Sequence, residues 1–312
     1  MTAAITGPRS TIITEPGLYA GIPDAVYHAD PVPDGSLSVS GAKVLARNAA
    51  RYHYDRLHPR DWEPKFNHGH AAHSLMLGVG PQVVEIAAND WRSPKTRGVR
   101  DQQLAAGRIP LLTKDAEQVK AMRDALAKHP HAAQLLSPGG AAEISAFRTD
   151  PVTGYWLRAR FDYVRASEGV LVDYKTAESA DPAAFARKGI DFGYHMQAGW
   201  YLDQANALGL QIDRFVFVVQ EKVAPFLVSV VEYDADALTL GRAWNRYAID
   251  RWVECRDANT WPGYPDETVT VSAPPWAPRP PIQSAEEPAG DYTPQIDVFA
   301  FLDELNPSEE TS

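Results

Sequence analysis

The stretch that decides the fold runs from Tyr155 to Ala177 and reads YWLRARFDYVRASEGVLVDYKTA. Two runs rich in β-branched and aromatic residues flank the polar segment 166–169, which predicts a β-hairpin. If these four residues form the connection, opposed positions sum to 335, so Asp162 faces Asp173 and Arg160 faces Lys175. Like charges opposed on neighbouring strands are destabilising, so the two carboxylates need positive charge between them.

The alternation of side chains along a strand places Asp173 and Lys175 on one face and Tyr174 on the other. Two carboxylates and a lysine suit Mg²⁺, which binds one or two carboxylates together with waters and phosphate oxygens. The lysine could then orient a nucleophile or offset developing charge. In the alternative interpretation the acids only pair with Arg160 and Lys175 on a solvated sheet face, and the pattern by itself leaves both open.

Composition limits the classes of protein to consider. The chain has 312 residues, 45% of them hydrophobic and 22% charged, which is typical of a soluble globular protein. We expect neither a transmembrane helix nor a signal peptide, and therefore a cytoplasmic location. The single cysteine, Cys255, excludes a disulfide within the chain and a cysteine-held iron–sulfur cluster.

The net charge of −10 is concentrated in the tail. Residues 281–312 hold eight acids and no Lys or Arg, so 32 of the 40 acids and all 30 basic residues lie in residues 1–280, which carry about −2. A nearly neutral body can still present a basic groove to nucleic acid.

The pattern along the chain predicts an extended segment over 1–36, a main domain over 37–261, a Pro-rich linker over 262–296 and an acidic tail over 297–312. The tail could form a short amphipathic helix that docks on a partner or on the body of the protein. In the main domain, helices alternate with strands near 143–148, 214–220 and 226–233, which predicts an α/β fold with a mixed central sheet flanked by helices.

Several other residues are candidates for a functional site. Ser40 is a plausible N-cap for a helix from about Gly41, and a later helix over 69–77 carries His73, either a ligand or a core histidine. Glu143 could lie near the two acids of the hairpin. Tyr194, Gln197 and Tyr201 share one face of a predicted helix over 194–208, and buried Tyr and Gln need polar partners.

Two stretches could contact DNA. The aromatic and basic stretch after residue 47 includes Arg51 and Tyr52, which could meet phosphates and bases or simply pack and be solvated. Residues 90–112 show little periodicity and predict a mobile loop, either solvated or in contact with phosphates. The candidate DNA-contacting residues of this second stretch are Arg92, Lys95, Arg97 and Arg100.

Taken together these elements resemble the PD-(D/E)XK nucleases of the RecB-like branch, and most of all the phage exonuclease VIII (RecE-type) group. The resemblance spans about residues 17–255 and rests on the order and separation of six elements. These are Ser38-Val39-Ser40 with its helix, Gly69 to His73, Glu143, Arg160-Phe161-Asp162, Asp173-Tyr174-Lys175, and Gln197 to Tyr201.

The resemblance implies a restriction-endonuclease-like core and a site that binds Mg²⁺ or Mn²⁺. It implies metal ligation by His73, Asp162, Asp173 and the Tyr174 carbonyl, with Lys175 assisting the water. It also implies that Gln197 and Tyr201 position phosphates or the lysine; Arg160 is a further candidate for DNA contact. Several relatives carry four cysteines for an iron–sulfur cluster, which this chain cannot hold.

For function, the resemblance implies hydrolysis of linear duplex DNA from 5′ to 3′, leaving a 3′ single strand for recombination. The partners would be DNA ends, a single-strand annealing protein that binds the tail, and other copies of the chain in a ring-like oligomer. Two alternatives stay open: a structure-specific or single-strand nuclease on the same core, and a non-catalytic DNA-binding or scaffold protein.

Overall fold

The predicted hairpin lies in the middle of a mixed, eight-stranded sheet, with strand order β1-β2-β6-β7-β8-β9-β10 and β3 paired to β7. The structure, a computed structural model, describes residues 5–7, 12–58 and 67–272. A second sheet consists of β4 and β5. The strands are β1 (Ile5–Thr6), β2 (Gly17–Tyr19), β3 (Ser36–Ser38), β4 (Val83–Ile86), β5 (Ile109–Leu112), β6 (Ala141–Thr149), β7 (Trp156–Arg165), β8 (Val170–Ala177), β9 (Arg214–Glu221) and β10 (Val228–Val231).

Helices cover both faces of the main sheet, because the central strands carry apolar side chains on both faces. Leu171 and Phe217 belong to one core, with residues of α2, α9 and α10. Val172 and Val218 belong to another, with residues of α4, α6 and α7. The helices are α1 (Asp24–His28), α2 (Val39–Arg47), α3 (Ala49–Leu57), α4 (Asn67–Leu77), α5 (Pro94–Ala105), α6 (Thr113–Ala127), α7 (Pro130–Leu135), α8 (Pro182–Asp191), α9 (Tyr194–Ala207) and α10 (Ala235–Asp257). The α/β class and the mixed sheet are confirmed.

The hairpin has the predicted register. Tyr163 pairs with Val172 across antiparallel β7 and β8, and these two numbers sum to 335. A 3₁₀ turn over Ala166–Glu168 makes the connection, and Gly169 closes it at φ 66°, a left-handed conformation that glycine adopts at little cost. On its other side β8 pairs in parallel with β9, and the chain crosses from one strand to the other by way of α8 and α9. Strand β8 therefore lies in the middle of the sheet.

Several local predictions were wrong. The N-cap of α2 is Ser38, whose hydroxyl accepts from the Gly41 N–H, because β3 leads directly into the helix and leaves Ser40 inside it. The segment 1–36 is not only extended chain, since it contributes β2 to the main sheet and forms α1. The predicted mobile loop over 90–112 contains α5, capped by Ser93, and then β5, which pairs in parallel with β4. Its periodicity is weak because α5 has no buried residue.

Within the described residues, no helix has the length and apolar character needed to cross a membrane. The last described helix, α10, ends at Asp257. The tail over 297–312 and most of the Pro-rich segment lie outside the described residues, so their predicted organisation stays a prediction.

Helices α9 and α10 touch at Gly241, which gives a test of the packing. A methyl group at this position would lie 2.2 Å from the backbone oxygen of His195. We expect Gly241→Ala to lower the free energy of unfolding by about 1–3 kcal/mol, because the two helix backbones must separate. Chemical denaturation measures this change.

The matched control is Gly98→Ala in the exposed helix α5, where a new methyl group meets nothing within 4 Å. Because alanine is the better helix former, this control should raise stability by up to about 1 kcal/mol. Equal effects of the two substitutions would contradict the close approach of α9 and α10.

Candidate metal centre

The two acids of the hairpin lie where β7 and β8 stop pairing as a regular ladder. The last pair is Tyr163 with Val172, and each of these residues is the immediate neighbour in the chain of one acid, Asp162 or Asp173. There the Asp162 carboxylate accepts the backbone N–H of Tyr174, with Oδ2 3.1 Å from the nitrogen. A side-chain oxygen thus takes up the strand N–H, which fixes the carboxylate beside β8.

Asp173 is held from two sides at the centre of the sheet. Its Oδ2 lies 2.6 Å from Lys175 Nζ, and its Oδ1 accepts from Gln197 Nε2 of α9 at 2.5 Å. The side chain of Asp173 is 1% exposed. Burial and the neighbouring charge of Asp162 raise the pKa of Asp173 to about 6, although Lys175 opposes this shift.

Asp162 and Lys175 keep their charges. Burial alone would raise the pKa of Asp162, but His73, Lys175 and the Tyr174 N–H together hold it below the usual value. Burial disfavours the ammonium of Lys175, yet Asp173 and Asp162 raise its pKa above that of a free lysine. Lys175 is therefore a cation at neutral pH and is not available as a base.

Helix α4 brings His73 against the acids. Ala71 and Ala72 are fully buried, so this small-residue part of the helix packs closely and positions the imidazole. His73 Nε2 lies 3.0 Å from Asp162 Oδ2, and Nδ1 lies 3.4 Å from Glu143 Oε1. Burial would lower the pKa of His73, but Asp162 and Glu143 outweigh it and raise the pKa to about 9.

Glu143 reaches the same cluster through an irregularity in β6. Its neighbours Ala142 and Ile144 pair with β7, whereas Glu143 is left out of the ladder and has φ 53°. This left-handed conformation is uncommon for a residue with a side chain and often marks functional positions. Burial and the charge of Asp162 raise the pKa of Glu143 to about 7.

His73, Glu143 and Asp162 fit a divalent cation. One donor atom from each lies within 4.8 Å of the other two. Carboxylate oxygens suit Mg²⁺ and Mn²⁺, and an imidazole nitrogen is a common additional metal ligand. The carboxyls of Asp173 and Glu143, whose pKa values are raised near the charge of Asp162, would gain from a cation among them.

This grouping differs in part from the predicted ligands. It contains His73 and Asp162 and adds Glu143, whereas both oxygens of Asp173 are already engaged by Lys175 and Gln197. Each of these oxygens keeps a second lone pair that could still bind a metal. Its role as a ligand, and that of the Tyr174 carbonyl, stay predictions.

Helix α9 supplies Gln197 but not Tyr201 to this centre. The Gln197 amide donates to Asp173 and accepts from Lys43 at 3.5 Å, so its link to Lys175 runs through the acid. Tyr201 is buried and packs edge-on against Phe161 and Phe215. The ring is part of the core, and the predicted role of Tyr201 in positioning phosphates or the lysine stays a prediction.

Lys43 of α2 was missed in the sequence. Its ammonium lies 5.3 Å from the centroid of the Tyr194 ring, and Lys175 lies 5.4 Å from the same centroid. Lys43 stands between small and aliphatic residues of a helix. This local pattern does not predict that the side chain packs against residues so distant in the chain. Only the packing of α2 against α9 brings it to the site.

Two predicted DNA-contacting residues, Tyr52 of α3 and Arg160 of β7, have partners within the protein, and a DNA contact of Arg160 stays a prediction. Tyr52 is 5% exposed and packs against Trp261, so its ring cannot stack on a base. Arg160 is not paired with Lys175, because the pairing of β7 with β8 ends at Tyr163 and Val172; on its other side Arg160 pairs with Ser145 of β6. Its guanidinium binds Asp24 and the Ile22 carbonyl, so it is engaged in the wall of the site.

The remaining basic candidates lie on exposed helices. Arg51 of α3 pairs with Asp55, and Arg100 of α5 pairs with Asp101. Arg92, just before α5, has a side chain that is 92% exposed. Lys95 and Arg97 also lie on α5, which packs on β4 and β5. A role of these residues in binding DNA stays a prediction.

Comparisons with known proteins place the chain in a family. A family model described as a PDDEXK-like domain of unknown function matches residues 89–272, more than half of the chain. A crystal structure from Eubacterium rectale, of a protein provisionally described as an exonuclease, is similar with a TM-score of 0.53 and 13% identity. The similarity covers 77% of this chain and 91% of that one, and at this identity it concerns the fold. A search of curated proteins found no significant match. The chain therefore belongs to the family of PDDEXK-like domains, and its fold is the PD-(D/E)XK fold.

Proposed function

We propose that this protein is a Mg²⁺- or Mn²⁺-dependent exodeoxyribonuclease that degrades linear duplex DNA. One observation carries the proposal: Asp162, Asp173 and Lys175 of one hairpin meet His73 from α4 in a half-buried cluster. A scaffold has no need of these groups together: burying them is costly even when they are paired, and ionisable groups with perturbed pKa values cluster at functional sites.

The residues divide the chemistry among them. A bound divalent cation would lower the pKa of a water and polarise the phosphoryl group. Asp162, His73 and Glu143 would hold the cation. Lys175, which is 24% exposed and fixed by Asp173, offers an ammonium to the attacking water oxygen or to the charge that develops on phosphate. Gln197 holds Asp173 in the orientation that aims Lys175.

The finer parts of the proposal rest on the resemblance to the RecE-type group. They are digestion from 5′ to 3′, a 3′ single-stranded product for recombination, a ring-like oligomer and an annealing protein bound to the tail. The tail lies outside the described ranges, so this partner stays a prediction.

The test is digestion of linear duplex DNA beside the same sequence as a covalently closed circle, with Mg²⁺ or Mn²⁺. We expect loss of the linear form alone. Release of label from 5′-labelled before 3′-labelled ends would give the polarity, and a single-stranded substrate measures the preference for duplex. The variant Asp173→Asn should be inactive, whereas Asp124→Asn on the surface of α6 should not be.

Cutting of the closed circle would replace the exonuclease by an endonuclease. Preferential digestion of the single strand would favour the single-strand alternative. Absence of cutting with both metals would favour a non-catalytic DNA-binding protein.

A further inference from the structure

A cavity lies beside the candidate metal centre, on the far side of Lys43. It has a volume of about 440 Å³ and is enclosed by α2, α9, α10 and the end of α8. We call it the Lys43 cavity; its polar and aromatic lining consists of Lys43, Arg47, Asp191, His195 and Trp244. The volume falls in the range of small-ligand sites.

Lys43 has no carboxylate partner among the residues that the structure describes. Its stem packs on Gly193, and its ammonium meets only the Gln197 amide oxygen, at 3.5 Å, and the Tyr194 ring. Burial, together with repulsion from the ammonium of Lys175, lowers the pKa of Lys43 to about 7, although the charge of Asp173 opposes this shift. An anion beside Lys43 would offset both costs.

His195 is a second polar group without a partner. The residue is 3% exposed, and neither ring nitrogen makes a hydrogen bond among the described residues. Buried polar groups in native proteins are nearly always hydrogen bonded, and an unpaired one costs about 1–3 kcal/mol. A polar ligand in the Lys43 cavity would provide the hydrogen bond that His195 does not find among the described residues.

The open side of the cavity combines positive charge with an aromatic surface. Arg47 lies one helical turn after Lys43 and donates to the Asp191 carbonyl, while the Asp191 carboxylate is exposed. Trp244 is 43% exposed and packs edge-on against Tyr247, which leaves ring surface accessible. The two cations, Lys43 and Arg47, outnumber the one acid, Asp191, so the cavity favours an anionic ligand. The indole of Trp244 favours a nucleobase, because nucleobases stack on aromatic side chains.

We propose that the Lys43 cavity binds one nucleotide of the DNA strand, with its phosphate beside Lys43 and its base on Trp244. The proposal rests on the nuclease function, because Lys43 links the cavity to the metal centre through Gln197 and Asp173. A strand that follows this path has one phosphate at Lys43 while its neighbour is presented to Lys175. The cavity is thus a subsite for the nucleotide next to the scissile bond.

The experiment is calorimetric titration of the full chain with deoxyadenosine 5′-monophosphate, in EDTA so that no metal contributes. Inorganic phosphate and deoxyadenosine are titrated separately. The nucleotide should bind more tightly than either fragment. Lys43→Met should weaken binding about tenfold or more, as expected for loss of a hydrogen bond to a charged group. Trp244→Ala should weaken it by about tenfold, and Lys128→Met on the exposed end of α6 should leave it unchanged.

The proposal is overturned if the wild type does not bind the nucleotide, if phosphate alone binds as tightly, or if Lys43→Met and Trp244→Ala bind like the wild type. Trp244 is partly exposed, so its variant keeps the test valid should Lys43→Met fail to fold. Asp162→Asn, which should stop cleavage, should not affect this binding. Cleavage without nucleotide binding would refute the subsite alone, and binding without cleavage would refute the nuclease alone.

Discussion

Lys175→Met is expected to reduce the rate of DNA cleavage by about 100-fold or more. The ammonium is the only group of the Asp173–Lys175 pair that carries positive charge, and its pKa is raised, so it is charged throughout the neutral range. Loss of one preorganised charge or hydrogen-bond donor at a transition state costs about 10²–10³ in rate. Methionine keeps the length and apolar stem of the side chain and removes only the ammonium.

The matched control is Lys120→Met, which breaks an ion pair with Glu85 that is largely exposed. This control should retain activity, because exposed pairs contribute little to stability. Both variants are compared by melting temperature and by the initial rate of digestion of linear DNA. A folded Lys175→Met protein that cuts at the wild-type rate would show that the hairpin is not the catalytic site.

Mn²⁺ is expected to raise the melting temperature of the wild type, and His73→Asn or Asp162→Asn should remove this rise. A ligand present at 100 times its dissociation constant stabilises the native state by about 2.7 kcal/mol. For a domain of this size that is a shift of roughly 5–10 °C. The shift depends on His73 and Asp162 because their donor atoms face each other at 3.0 Å in the centre of the cluster.

His131→Asn is the control for the same chemical change at an exposed histidine of α7, and it should keep the full shift. Thermal unfolding is recorded with EDTA and with increasing Mn²⁺ for each variant. An undiminished rise in both His73→Asn and Asp162→Asn would place the metal elsewhere.

The centre of the fold could be predicted because its signals are local. The two apolar runs around 166–169 set the hairpin and its register, and alternation put Asp173 and Lys175 on one face. The α/β class followed from the order of helices and strands. The position of His73 next to Asp162 was implied only by resemblance, since 89 residues separate them and no local pattern joins a helix to a strand at that distance.

Other features could not be predicted because packing decides them. The positive φ that turns Glu143 toward His73 has no signature in an alternating strand pattern. Helix α5 has no buried face and therefore no apolar periodicity. Tyr52 is aromatic and lies among basic residues, yet the adjacent Trp261, some 200 residues later in the chain, covers its ring. Lys43 likewise becomes part of the site only through α9.

The close approach at Gly241 has a consequence for how variants of this protein would be interpreted. Its missing side chain lets α10 meet the backbone of His195 and Met196, two positions before Gln197. A bulkier residue there would tilt the start of α9 and move the amide that holds Asp173. In a saturation screen for activity, Gly241 would then score like an active-site residue although its helix supplies no candidate catalytic group. Loss of activity on substitution of this glycine would therefore report a displacement of Gln197 and Asp173 and not the loss of a catalytic group.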